Sequence, residues 1–125
     1  HRATLGRAFV IEDNLLISLD LQKKLRRIGF KYIDVYGDVI AAKTALKKVT
    51  PQIVFLDVHL GQENSFNLGE ELKKQCIPFL FITGYGAGIA LPEPIKDVDV
   101  LTKPVDSQVL QKAIMKNIGE VLAND

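Results

Sequence analysis

The most constraining feature of the sequence is the segment Ile53–Asp57, in which four apolar residues end in a carboxylate. A short, continuous apolar run rich in β-branched and aromatic residues is typical of a strand covered on both faces, as in a parallel sheet between helices. Open α/β sheets bind their ligands at the carboxyl ends of the strands. We therefore expect Asp57 to lie at the edge where such a sheet carries its chemistry.

Three other apolar segments also run into polar residues that can take part in chemistry. They are residues 8–11 before Glu12 and Asp13, residues 79–82 before Thr83, and residues 98–102 before Lys103. If these segments are parallel neighbouring strands, three acids, a hydroxyl and an ammonium group converge on one edge of the sheet. Each residue taken singly is more often an ordinary turn, strand-end or surface residue, so the prediction of a site depends on their joint placement.

Length and composition predict a single soluble domain. The 125 residues are 47% apolar and 25% charged, which is the globular average. No apolar run approaches the roughly 20 residues of a membrane-spanning helix, and no signal peptide is evident. The net charge of +1 and the scattered basic residues argue against direct binding to nucleic acid. We expect a cytoplasmic protein with no membrane contact, and a buried or half-buried thiol at the single cysteine, Cys76.

The hydrophobic pattern predicts five βα units, and right-handed crossovers then place helices on both faces of a parallel sheet. The first helix is expected to start after Asn14, to end at Gly29 and to bury an apolar stripe. That stripe comprises Leu15, Leu16, Leu19, Leu25 and Ile28.

The ends of the other predicted helices follow from capping residues and prolines. The second helix should start at Asp38, extend through Val49 and end before Pro51, and the third should be capped by Ser65. The last helix should begin at Asp106 or Ser107 and bury one apolar face. Glycines and prolines between residues 84 and 94 limit any fourth helix to about one turn, so a short or irregular fourth helix is expected.

The residues at the four strand ends give the chain a family likeness. Glu12 and Asp13, Asp57, Thr83, and Lys103 with Pro104 occur in the order and at the separations that resemble a response-regulator receiver domain, the phosphorylatable module of two-component signalling. The likeness covers residues 8–122, which leaves tails at residues 1–7 and 123–125. It implies a doubly wound, flavodoxin-like (βα)5 fold with strand order 2-1-3-4-5.

The resemblance implies that Asp57 accepts a phosphoryl group from a sensor histidine kinase or a histidine phosphotransfer protein. Three carboxylates that repel one another suit Mg²⁺, which prefers oxygen ligands and keeps several waters. By resemblance, its ligands are Asp13, Asp57 and the backbone carbonyl of His59, with Glu12 acting through water. The imidazole of His59 is either simply exposed or flanks the phosphoryl group.

The remaining roles also follow from the resemblance. Lys103 neutralises the phosphoryl group as a compact charge, and the Lys103–Pro104 peptide is expected to be cis. Thr83 donates a hydrogen bond to the phosphoryl group and, by moving inward, acts as a switch. Many receivers also use an aromatic residue three positions before the lysine, where this chain has Val100. Tyr85 is the candidate substitute.

A narrower likeness concerns the segment from Pro78 to Gly86, together with residues 57–61 and 91–94. It is similar to alphaproteobacterial, often single-domain receivers with a Phe-Ala-Thr-Gly-Tyr-type motif, although Ile82 stands where that motif has alanine. On this reading the protein catalyses its own phosphorylation and dephosphorylation, acts on no separate substrate, and signals by protein contact to an unidentified partner. It is expected to be a monomer or a phosphorylation-dependent dimer.

Three alternatives remain open on the sequence. One is a pseudo-receiver, an interaction module that keeps the fold without using phosphate. Another is the receiver part of a longer regulator or hybrid kinase. The third is a flavodoxin-like cofactor binder, which lacks support because no phosphate-binding loop rich in Ser, Thr and Gly follows the first strand.

Overall fold

A five-stranded parallel sheet forms the centre of the molecule. The computed structural model describes residues 5–61, 63–84 and 88–123. The strands of the sheet are β1 (Leu5–Ile11), β2 (Phe30–Tyr36), β3 (Ile53–Asp57), β4 (Phe79–Thr83) and β5 (Val100–Thr102). Their order is β2-β1-β3-β4-β5, with every neighbouring pair parallel. The predicted α/β fold and strand order are therefore confirmed.

Helices cover both faces of this sheet. They are α1 (Leu15–Ile28), α2 (Val39–Leu46), α3 (Phe66–Lys74) and α4 (Ser107–Ala123). Among the described residues between β4 and β5, the helical part is the 3-10 turn Glu93–Ile95, which agrees with the expected short fourth helix. Among all the described residues, no helix is both long and apolar enough to cross a membrane.

The two central strands are buried along their whole length, β3 and β4 alike. Because side chains alternate across a strand, β3 supplies both layers of the core. Phe55 lies in the layer with Leu110 and Ile114 of α4. Leu56 lies in the opposite layer with Leu72 of α3. This burial on both faces is what the apolar run of β3 predicted.

The expected apolar stripe of α1 is wrong in its first half. Leu15, Leu16 and Leu19 are 70%, 77% and 46% exposed. The residues of α1 that face the sheet are Ser18, Leu21 and Leu25. Leu15, Leu16 and Leu19 lie within one arc of about 100° on the helix. A period of 3.6 residues places Ser18, not those leucines, in line with Leu21 and Leu25.

Several boundaries also differ from the sequence prediction, and β5 begins at Val100, two residues later than expected. Strand β1 begins at Leu5, which pairs with Phe30, so residues 5–7 belong to the sheet and not to a tail. Helix α2 ends at Leu46, and the amides of Lys48 and Val49 both donate to the carbonyl of Ala45 in a closing turn. The helix thus ends before Thr50, the residue whose helical conformation Pro51 disfavours.

Cys76 is exposed, which contradicts the expected burial of its thiol. It has a φ of 59° directly after the last turn of α3. Its amide donates to the carbonyl of Lys73, and the amide of Ile77 donates to the carbonyl of Leu72. This pair of bonds closes a Schellman motif, in which Cys76 takes the left-handed position that glycine normally occupies.

Replacing Cys76 by glycine is expected to stabilise the protein. A left-handed conformation costs an L-residue about 1–2 kcal/mol, which glycine does not pay. The extra entropy of glycine in the unfolded chain cancels about half of that gain. We expect the free energy of unfolding in urea to rise by about 0.5–1 kcal/mol for Cys76→Gly and not to rise for Cys76→Ala. An equal gain in both variants would show that the thiol, and not the backbone, is the cause.

Gly69 of α3 allows this helix to lie close to the sheet. A Cβ atom at this position would lie 2.9 Å from Cζ of Phe81 and 3.2 Å from Cε2 of Phe79. Neither ring can move freely, because Phe81 packs edge-to-face against both Phe66 and Phe79.

Gly69→Ala is therefore expected to destabilise the protein by about 1 kcal/mol. Overpacking costs about 1–3 kcal/mol, and the helix propensity of alanine recovers about 0.5–1 kcal/mol of it. The matched control is Gly119→Ala in α4, beside the non-helical Ile118, where a Cβ would meet nothing within 4 Å and no loss of stability is expected. Urea unfolding measures both; a Gly69→Ala variant as stable as the control would contradict the close contact.

Candidate functional site

Three carboxylates meet at the carboxyl edge of the sheet. Glu12 and Asp13 follow β1, Asp57 ends β3, and one oxygen from each lies within 4.8 Å of the others. Glu12 is 3% and Asp57 is 4% exposed, whereas Asp13 lies at the surface. The register explains this convergence, because Ile11 of β1 pairs with Leu56 of β3 and both strands end there. We call the three acids, together with Lys103, the edge site.

Lys103 reaches these acids from the end of β5. Its Nζ lies 2.7 Å from Oε1 of Glu12 and 3.1 Å from Oδ2 of Asp57. Its amide donates to the carbonyl of Thr83 at 2.8 Å, which fixes the start of the loop against β4. The peptide bond between Lys103 and Pro104 is cis.

The pKa values of Lys103 and Glu12 reflect this geometry. Burial disfavours the Lys103 ammonium, but hydrogen bonds to Glu12 and then Asp57 outweigh burial and raise the pKa of Lys103. Burial raises the pKa of Glu12, and the nearby charge of Asp57 adds to this. Lys103 and the Asn14 amide, which donates to Oε2 of Glu12 at 3.0 Å, oppose the increase without cancelling it.

A short hairpin after β3 closes one side of the edge site. Its two strands, His59–Leu60 and Glu63–Asn64, pair antiparallel. The amide of His59 donates to Oδ1 of Asp57 at 3.3 Å, and the amide of Gly61 donates to Oδ2 of Asp13 at 3.0 Å. Gly61 has a φ of 63°, a conformation in which glycine is favoured. The side chain of His59 is exposed.

Thr83 is fully buried at the end of β4 and pairs with Thr102 of β5. It lies one residue beyond Ile82, the partner of Asp57 in the neighbouring strand. The structure therefore brings Thr83 to the same edge as the acids. Tyr85, the candidate aromatic switch, lies outside the described residues.

Ser65 contributes to the site in a way that sequence reasoning missed. It precedes α3, but its hydroxyl does not cap that helix as expected. Instead its Oγ donates to the carbonyl oxygen of Asp57 at 2.5 Å, while Oδ1 of Asn64 accepts from the Phe66 amide at 3.1 Å. No sequence motif marks a serine eight residues after an acid, so only the hairpin geometry reveals this contact.

The donor set of the edge site suits a hard divalent cation. Three carboxylates face one ammonium group, so negative charge is in excess, and two of the acids are withdrawn from water. Such a set favours an ion that takes oxygen ligands, of which Mg²⁺ is the typical example. The raised pKa of Glu12 points the same way, because its ionised form lacks full compensation.

Comparison with known proteins is consistent with this geometry. No protein-family model matches the chain. The chain is 31% identical over 113 residues to an uncharacterised response regulatory protein of Vibrio vulnificus, covering 87% of this chain and 46% of that protein. It is 28% identical over 113 residues to the sensory transduction protein LytT of Bacillus subtilis, covering 88% and 47%. The chain thus spans about half the length of these curated relatives.

Solved structures show the same fold. The N-terminal signal receiver domain of a two-component response regulator from Bacteroides fragilis superposes with a TM-score of 0.77 at 23% identity, covering 91% of this chain and 97% of that one. At this identity the likeness establishes the fold alone. Taken together, the names of the sequence relatives, the fold and the acidic edge support a response-regulator receiver domain.

Proposed function

We propose that this receiver accepts a phosphoryl group on Asp57 and signals through a conformational change. The observation that carries the proposal is the place of Asp57: a buried carboxylate at a strand end, 3.1 Å from an ammonium and beside two further acids. A sensor histidine kinase or a histidine phosphotransfer protein is the proposed donor, since receivers in general are served by histidine kinases.

In the proposed transfer, a carboxylate oxygen of Asp57 forms a bond to phosphorus. The bond between phosphorus and the donor imidazole nitrogen breaks, and that nitrogen keeps the electron pair and takes a proton. Little covalent chemistry is left for the protein, so positioning and charge neutralisation dominate. Burial of Asp57 serves both, because it excludes water and strengthens the field of the nearby ammonium.

Lys103 supplies the cationic partner of the transferred group. In the structure its ammonium bridges Glu12 and Asp57, and its raised pKa keeps it charged at neutral pH. Once Asp57 carries phosphate, the same ammonium can pair with a phosphoryl oxygen by a small side-chain movement.

Asp13, Asp57 and the backbone carbonyl of His59 are the proposed ligands of Mg²⁺, with Glu12 acting through a water molecule. A cation held by these residues would supply positive charge to the phosphoryl group in addition to that of Lys103. Asp13 is already oriented by the Gly61 amide, so the carboxylate is held before any ligand arrives.

The proposed readout involves the loop after β4. The hydroxyl of Thr83 would donate to the phosphoryl group and draw the end of β4 inward, with Tyr85 as the aromatic that follows. The same proposal includes the likeness to single-domain alphaproteobacterial receivers and a cytoplasmic location. The protein would catalyse its own phosphorylation and dephosphorylation without a separate substrate. It would signal by protein contact, as a monomer or a phosphorylation-dependent dimer.

The experiment that tests this function is incubation with acetyl phosphate, with and without Mg²⁺, followed by intact-protein mass. We expect a gain of one phosphoryl group that requires the cation. A protein that gains no mass, under conditions in which a known receiver is phosphorylated, would instead be a phosphate-independent interaction module.

A further inference from the structure

We propose that Ser65 is a positioning residue for phosphoryl transfer, because it holds the main chain that carries the acceptor Asp57. This inference rests on the proposed function and extends it to a residue outside the group of acids, lysine and threonine. Ser65 is 1% exposed and lies directly before α3, at the base of the hairpin.

Ser65 bonds to two successive carbonyls at the end of β3. Its Oγ lies 2.5 Å from the carbonyl oxygen of Asp57 and 3.3 Å from that of Val58. Its own amide also donates to the carbonyl of Val58 at 3.0 Å. The side chain and the backbone of one residue thus hold both carbonyls that follow the acceptor side chain.

The amide groups of the same two peptide planes are engaged elsewhere. The Val58 amide donates to the carbonyl of Ile82 in β4 at 2.9 Å, and the His59 amide donates to Oδ1 of Asp57 at 3.3 Å. Both planes are therefore held at their oxygen and at their nitrogen. Because the orientation of the first plane fixes the Asp57 backbone, rotation of this plane would displace the acceptor carboxylate.

Ser65 is itself anchored to a rigid element. Its carbonyl accepts the amide of Gly69 at 3.0 Å, in the first turn of α3. The hydroxyl therefore links the acceptor to a helix that packs against the sheet. It also fixes the start of the hairpin, whose His59 carbonyl is a proposed metal ligand. Replacing a residue that orients a metal ligand through a hydrogen bond typically weakens the metal affinity by 10–100-fold.

The test compares Ser65→Ala with Ser18→Ala. Ser18 is equally buried, at 2%, and its Oγ donates to the carbonyl of Leu15 within α1 at 2.9 Å. Both variants remove one buried hydroxyl that bonds to a backbone carbonyl, so their purely structural effects are comparable. The readouts are the Mg²⁺ dissociation constant without any phosphodonor, and the rate of uptake from acetyl phosphate at saturating Mg²⁺.

For Ser65→Ala we expect about a tenfold weaker Mg²⁺ affinity and about a tenfold slower uptake. A cooperative unfolding transition in urea should show that this variant is folded. Ser18→Ala should leave both quantities within about twofold of wild type. Ser65→Thr keeps the hydroxyl, so its Mg²⁺ affinity and uptake rate should stay much closer to wild type than those of Ser65→Ala. If Ser65→Ala does not fold, Ser65→Cys replaces it in the comparison, because cysteine keeps the shape and is a weak donor.

Equal Mg²⁺ affinity and equal uptake in Ser65→Ala and Ser18→Ala would overturn the role of Ser65 while leaving the proposed function intact. Failure of the wild-type protein to take up phosphate would instead overturn the proposed function. In that case the Mg²⁺ affinities would still decide whether Ser65 holds the site, since their measurement needs no phosphodonor.

Discussion

Asp57→Asn is expected to abolish phosphoryl uptake from acetyl phosphate, a loss of more than about a hundredfold in rate. The amide keeps the shape of the side chain and can still accept from the His59 amide, but it is no longer an anionic nucleophile. Glu12 and Asp13, the other two acids of the edge site, both follow β1 and are the acids proposed to help hold Mg²⁺. Neither is expected to replace Asp57 as the acceptor.

The matched control for this variant is Asp97→Asn. Asp97 is exposed in the turn that precedes β5, at the amino end of that strand, whereas the edge site lies at the carboxyl ends of the strands. Uptake by this variant should equal that of wild type. Phosphoryl uptake that persists in Asp57→Asn would assign the acceptor to another residue.

Asp13→Ala is expected to weaken Mg²⁺ binding by more than about tenfold while the protein stays folded. Losing a residue that merely supports a ligand costs 10–100-fold in metal affinity, and losing a direct ligand should cost at least as much. Asp13 is exposed, so its removal leaves no cavity in the core. The lost structural contact is one hydrogen bond from the Gly61 amide.

Titration of the metal against wild type, Asp13→Ala and the surface control Asp20→Ala measures this effect. Asp20 is exposed and pairs with Lys24 one helical turn along α1. The control should bind Mg²⁺ like wild type. Unchanged affinity in Asp13→Ala would exclude this residue as a ligand.

The strand ends could be predicted from the sequence because they depend on local patterns. The apolar run before Asp57 fixes a buried strand, and the same reasoning at Thr83 and Lys103 places each at a strand end. Once the strands are parallel neighbours, their polar ends must meet. The ion pairs of Lys103 with Glu12 and Asp57 are the direct result.

What the sequence did not reveal depends on contacts between distant parts of the chain. Leu15, Leu16 and Leu19 form an apolar side of α1, but the position of α1 on the sheet buries Ser18 instead. Free cysteine is among the residue types most often buried, yet the geometry of the α3 terminus leaves Cys76 exposed. Ser65 reads as a helix cap, and only the return of the hairpin beneath β3 gives its hydroxyl other partners.

Mapping the phosphorylated residue tests directly whether Asp57 is the acceptor. The protein is treated with acetyl phosphate and Mg²⁺, reduced with borohydride, which converts an aspartyl phosphate to homoserine, and digested with trypsin. The peptide spanning residues 49–73 contains Asp57 as its only aspartate. We predict homoserine in place of Asp57, within this peptide, and in no other peptide. Homoserine at any other aspartate, or none after a demonstrated gain of phosphate, would contradict it.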